Sequence, residues 1–184
     1  AEFNVLLALE GKGPAGQAAA ASRLTMLLDP THSASLLPAS LQLRLRWLDA
    51  FLAVQIHDPA AMQKATVLQQ EIAALPPGVN GVSANLRDEL AASALLLCMQ
   101  AASNAGNPTA EDSYYQLLKQ NFSGKDVKSG QNEVIAAMFT KASELAMQNK
   151  TADAQAVRVD LVKQFPNSTF APEANYLEAV YAGS

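Results

Sequence analysis

With 184 residues, 49% of them hydrophobic, the chain is long enough to bury a real core and too apolar to be a disordered polar segment. Its 13 basic and 17 acidic residues leave a net charge of −4, which gives no basic stripe for nucleic acid and poor attraction to an anionic membrane surface. Aromatics are sparse at 6% while Ala, Leu and Gln abound, a balance that favours helix over sheet.

Start and stop signals divide the chain into about nine helical segments. The chain opens in mid-pattern with "AEFNVLLALEG", without an initiator Met or a signal peptide. The expectation is a fragment cut from a longer protein, with Ala1, Glu2 and Phe3 as cloning residues. The first segment stops at Gly11, expected as a left-handed C-terminal residue. Gly13-Pro14 opens the second, which ends near "LLDP". The third starts at Pro38 and reaches about His57. Asp58-Pro59 reads as an N-cap and first-turn proline for the fourth, which reaches Leu75.

"PPGVNG", residues 76–81, is the clearest break. Ser83 caps the fifth segment, which ends before Gly106. Thr109 and Asp112 have capping-box spacing at the start of the sixth, which ends at Phe122. "SGKDVKSG" leads to the seventh, from about Gln131 to Asn149. Thr151 caps the eighth, which ends at Phe165, and Pro172 opens the ninth. No strand-like alternation is bounded by hairpin turns, so the fold class is all-α.

Two segments carry more apolar surface than one neighbour could cover. In the third, Leu41, Leu45, Leu48 and Leu52 form one stripe, while Leu43, Trp47, Phe51 and Val54 form a second. Gln42, Arg46, Asp49 and His57 line the narrow polar strip that remains, and Arg44 and Gln55 fall between the two stripes. The fifth is apolar all round from Ala94 to Met99. Both therefore belong in the middle of the structure. The seventh is one-sided, with Val134, Met138, Ala142 and Leu145 inward beside Ile135 and Phe139. Leu48, Phe51, Leu90, Leu97, Phe139 and Phe165 are expected in the core.

Longer segments alternate with shorter ones, and the shorter ones end at similar punctuation about every 45 residues. This is the pattern of antiparallel helix pairs stacked as an α-solenoid. The stretch "TADAQAVRVDLVKQFPNSTFAPEANYLEAV" goes further. Leu161, Phe165, Pro166, Asn167 and Ser168, followed by Ala174 and Tyr176, resemble the junction between two tetratricopeptide repeats. "AEDSYYQLLKQNF" and "LLDPTHSASLL" match that junction more weakly. The resemblance covers Thr151 to Tyr181; the period exceeds the family's ~34 residues and the Trp-x-x-Leu-Gly-x-x-Tyr signature is missing. It implies a right-handed superhelix of tetratricopeptide type over one domain, 1–184, with sub-units at 1–37, 38–82, 83–130 and 131–184. A HEAT-like or irregular helical domain is the alternative.

Chemistry is sparse. His32 reads as a solvated turn residue and His57 as a helix C-terminal one, and neither has a metal-ligand neighbour at helical spacing. The single cysteine, Cys98, excludes an internal disulfide or a cysteine metal cluster and reads as an inert buried thiol. "GKGPAG", residues 11–16, lacks the Gly-Lys-Ser/Thr ending of a phosphate loop and reads as a helix–helix connection. Trp47 reads as core. No apolar run approaches the ~18 residues of a membrane span, so no membrane insertion is expected.

No enzyme and no cofactor are therefore expected. The resemblance implies a protein-interaction scaffold whose partner is another protein or peptide, of the kind found in bacterial envelope assembly and secretion, hence a periplasmic or envelope location. Gln42, Arg44, Arg46 and Asp49 are the candidate contacts. The alternative is a helical bundle that carries an apolar small molecule or lipid.

Overall fold

The computed structural model describes residues 2–29, 31, 37–76, 78, 81–124 and 130–182; the expectation for His32 lies outside them. Among the described residues there are nine α-helices and no strand. They are α1 (Glu2–Glu10), α2 (Pro14–Leu28), α3 (Ala39–Gln55), α4 (Ala61–Ala74), α5 (Ala84–Asn104), α6 (Pro108–Phe122), α7 (Gln131–Met147), α8 (Thr151–Gln164) and α9 (Ala171–Ala182). The chain forms two compact units, Ala1–Tyr114 and Tyr115–Ser184, with the boundary inside α6. Within each unit successive helices pack on their neighbours, in a solenoid-like arrangement.

The first unit is organised around α3. Its Leu45, Leu48 and Leu52 are buried with Leu6 of α1 and Ala20 and Leu24 of α2. Its other side buries Leu43, Ala50, Ala53 and Val54 with Leu68 and Ile72 of α4 and Leu90, Leu97 and Cys98 of α5. The two stripes read from the sequence thus face two separate clusters. Trp47 and Phe51 lie where the clusters meet, stacked with centroids 5.3 Å apart and planes 15° from parallel. The Trp47 indole N–H donates to Ser93 Oγ at 2.7 Å, so its one polar atom is satisfied inside the packing. Phe51 is half-buried rather than fully buried, because its ring lies at that seam.

Polar contacts fix the helix directions. Asp49 pairs with Lys64, and Arg46 pairs with Glu71, so α3 and α4 run antiparallel. Trp47 meets Ser93, and Asn104 Nδ2 donates to the Val54 carbonyl at 3.0 Å, so α3 and α5 run parallel. A helix, its antiparallel partner and the next parallel helix make one step of a helix-pair array.

The three longer helices α3, α5 and α7 end on one hydrogen-bond pattern. The N–H groups of Asp58, Asn107 and Lys150 each donate back to Ala53, Ala102 and Leu145 at 2.9 Å, while His57, Gly106 and Asn149 close the inner bond. This is the Schellman turn, which needs a left-handed residue. Gly106 adopts it freely at φ 65°, while His57 (φ 53°) and Asn149 (φ 60°) adopt it against the Cβ clash. His57 lies beyond the end of α3, at Gln55.

Several expected caps differ. Gly11 does not take the left-handed conformation; the positive-φ residue between α1 and α2 is Gly13, at φ 76° and ψ −163°. Asp58 Oδ1 accepts from Ala60 N at 2.8 Å as a cap should, but Pro59 and Ala60 form a turn before α4 begins. Ser83 Oγ accepts from Leu86 N at 3.2 Å as expected. The cap of α6 is Asn107, whose Oδ1 accepts from Ala110 N at 3.1 Å, not Thr109. Pro108 suits the first helical position, so the residue before it caps. Thr151 is itself helical, and Lys150 stands before it without a side-chain cap.

The second unit packs α7 against α8 and α8 against α9. Val134, Ala137, Met138 and Ala142 are buried with Ala154 and Leu161. Phe139 is half-buried and stacks on Phe170 at 4.7 Å. Phe165 is buried under the turn that Pro166 forces, and Ser168 N donates to its carbonyl at 3.0 Å. The Ser168 hydroxyl accepts and donates no bond, while its backbone carbonyl accepts from Ala171 N.

Lys119 Nζ lies 2.7 Å from Asp160 Oδ2 and ties α6 to α8. Partial burial alone would raise the Asp160 carboxyl; the Lys119 and Gln164 hydrogen bonds and the Lys119 and Lys163 charges outweigh it and hold it below its ordinary value. That stabilisation is present above the ordinary carboxylate pKa and is lost as pH falls through the lowered one.

The reading of "GKGPAG" as a connection holds for residues 11–13 only, because Gly16 is a buried helical residue of α2. A Cβ there would lie 2.0 Å from the Leu9 carbonyl oxygen and 2.8 Å from Lys12 Cβ. Gly16→Ala should therefore force the α1–α2 turn apart and cost about 1–3 kcal/mol in urea unfolding, the usual range for overpacking. A loss below about 0.5 kcal/mol, the range of an ordinary surface change, would contradict this close approach.

Candidate functional site

Three of the four candidate contacts meet in one place. Gln42, Arg46 and Asp49 recur at four and three residues along α3, which puts them on one helical face. That face meets α4, whose Lys64, Leu68 and Glu71 have the matching spacing, and the two helices form the walls of a trench. Two adjoining cavities make it up. One, about 280 Å³, is lined by Arg46, Asp49, Gln63, Lys64, Val67, Leu68 and Glu71. The other, about 370 Å³, is bounded by the apolar Ala39, Leu43, Ala74 and Leu75, with Gln42 beside them. Arg46 and Glu71 line both.

Arg44 is not part of it. Two residues along from Gln42 is about 200° around the helix, so Arg44 is exposed on another side with Gln55.

The walls are held by cross-helix bonds. Lys64 Nζ lies 2.8 Å from Asp49 Oδ1, and Arg46 donates to Glu71 Oε1. Gln42 Nε2 donates to the Leu37 carbonyl at 2.7 Å, which anchors the amide at the N-terminal end of α3. Both ion pairs are partly solvated, so each contributes roughly 0–1 kcal/mol to stability and serves mainly to set side-chain positions. The other Glu71 oxygen, Oε2, is occluded and accepts no hydrogen bond. Val67, 46% exposed, leaves an apolar surface on the α4 wall.

The α4 half of the trench was not predicted. Its signal is in the sequence, since Lys64, Leu68 and Glu71 share a face, but which face of α4 meets which residues of α3 depends on the register of packing.

Elsewhere the chemistry is quiet. A cavity of about 120 Å³ lies between His57, Asp58, Ala61 and Met62 and the end of α5 at Ala101, Asn104 and Ala105. Among the described residues no group of three or more His, Cys, Asp or Glu could hold a metal ion. No described helix is long and apolar enough to cross a membrane. Cys98 is wholly buried. Its burial pushes the thiol up to about 12, against smaller lowering effects of hydrogen bonds with Thr66 and Tyr114.

Comparison with protein-family models, curated proteins and solved structures finds no match for this chain.

A protonated, enclosed thiol reacts slowly, because the thiolate is the nucleophile. A maleimide or disulfide reagent at neutral pH should label Cys98 at least ~100-fold more slowly in the native protein than in denaturant. Native labelling at the unfolded rate would contradict its place between α4, α5 and Tyr114.

Proposed function

We propose that the chain is a non-catalytic protein-interaction module of tetratricopeptide-like helix pairs, and that the α3–α4 trench is where a partner protein inserts a peptide segment. The observation that carries this is the convergence of Gln42, Arg46 and Asp49 with an apolar floor in one trench. An apolar floor with a few oriented polar groups is the ordinary composition of a binding site. The pairing pattern of α3, α4 and α5, and the buried Phe165 before Pro166, support the family reading. Turns of the Phe-Pro-Asn-Ser kind are frequent in bacterial envelope assembly and secretion proteins, and we place the partner in such an assembly.

The other reading, a helical bundle that carries an apolar ligand, has less support. Of the cavities described above, one is bounded by Leu43 of α3 and Leu75, and it shares Arg46 and Glu71 with the charged part of the trench.

The test begins with capture of a partner from the source organism's lysate and continues with titration of that partner against variants. Arg46→Ala leaves the Glu71 charge alone on the wall, and Val67→Asp places a charge on its apolar surface. Each should lower affinity by about 30-fold, the equivalent of a ~2 kcal/mol hot spot. Arg44→Ala, outside the trench, should leave affinity within about twofold, since a surface change away from a contact is nearly neutral. Equal affinity across all three variants would refute the assignment of the trench.

A further inference from the structure

We infer that the trench selects an uncharged, extended peptide segment with a large apolar side chain at its centre, rather than an acidic or a basic segment. This rests on the reading of the trench as a partner site and specifies its occupant.

Charge is the first argument. The trench walls carry two cations, Arg46 and Lys64, and two carboxylates, Asp49 and Glu71, each cation already paired across the seam. An incoming carboxylate would compete with Asp49 and Glu71 for the same two cations. Those residues are tethered in place and lose no association entropy, so the exchange gains nothing and leaves one carboxylate without its partner. An incoming ammonium or guanidinium group meets the same obstacle from Arg46 and Lys64. An uncharged occupant leaves both pairs intact.

The shape of the trench gives the second. Residues 39–49 of α3, at 1.5 Å per residue, make the trench about 15 Å long, which matches roughly four residues of extended chain. The cavity of about 370 Å³ between Ala39, Leu43, Ala74 and Leu75 is large enough for a Leu or Phe side chain. Val67 and Leu68 supply apolar contact for the rest of the segment.

The experiment uses the whole 184-residue protein, ¹⁵N-labelled, and three N-acetylated, C-amidated tetrapeptides. Their central pairs are Leu-Phe, Asp-Asp and Lys-Lys, and each is flanked by serines. Backbone amide signals of Leu43, Val67, Glu71 and Leu75 should move with the Leu-Phe peptide and stay still with the other two. The Leu-Phe affinity should change less than about twofold between about 50 and about 500 mM NaCl, because no new ion pair is formed. Ala74→Trp, which fills the apolar cavity from an exposed position, should weaken that peptide by at least ~10-fold.

Trench signals that move more strongly with the Asp-Asp or Lys-Lys peptide, or a steep salt dependence, would overturn the inference and leave the trench as a charged-peptide site. If the Leu-Phe peptide moves only signals on another face, the inference falls while an interaction module survives. If the captured partner is also unaffected by Arg46→Ala and Val67→Asp, the assignment of the trench falls with it.

Discussion

Burial of α3 on both sides is the constraint from which the rest of the first unit follows. A helix with Leu45, Leu48 and Leu52 on one side and Leu43, Ala50 and Val54 on the other cannot stand at a surface. Each buried Leu is worth roughly 1.5–3 kcal/mol relative to exposure, so both faces must be covered. Helices α1 and α2 cover one, and α4 and α5 cover the other. What remains is a narrow polar strip, and the strip beside α4 becomes one wall of the trench. The candidate site is thus the part of α3 that its two layers of neighbours leave open.

The same constraint explains why the trench has defined walls. Asp49 and Arg46 are held by Lys64 and Glu71 from a helix whose own Leu68 and Ile72 are fixed in the core. Backbone geometry at the far end of α3 adds to this. The Schellman turn at His57 leads through the short turn at Pro59 and Ala60 into α4, and Asn104 reaches from α5 to the Val54 carbonyl just before it. Side chains that would be mobile on an isolated helix are positioned by packing on three elements. Such pre-organisation reduces the ordering cost of binding.

Much of this was legible in the sequence, and the boundary of legibility is physical. Two apolar stripes on α3 could be read because helical periodicity is a local property, and so could the unbroken apolar stretch of α5. The Ser83 cap was legible for the same reason. Thr109 was misread because Asn107-Pro108 is the stronger start signal: the proline fixes the first helical residue and leaves the asparagine to cap. Phe51 and Phe139 were expected in the core, but each is half-buried and stacks on another ring. Hydrophobicity alone does not distinguish a margin from a centre. The α3 half of the trench could be named from spacing, with Arg44 set apart by rotation, while the α4 half required the pairing register, which no local pattern encodes.

Native-state hydrogen exchange of the backbone amides tests the central place of α3 most directly. Amides that open only on global unfolding exchange slowest, while those at exposed ends open locally. If α3 is clasped on two sides, the amides of Leu48 to Val54 should be among the slowest of the first unit, together with those of Ala94 to Cys98 in α5, and slower than those of α1 by at least ~100-fold. Exchange in α3 as fast as in α1 would mean that α3 is not buried between two layers, and the origin of the trench described here would be wrong.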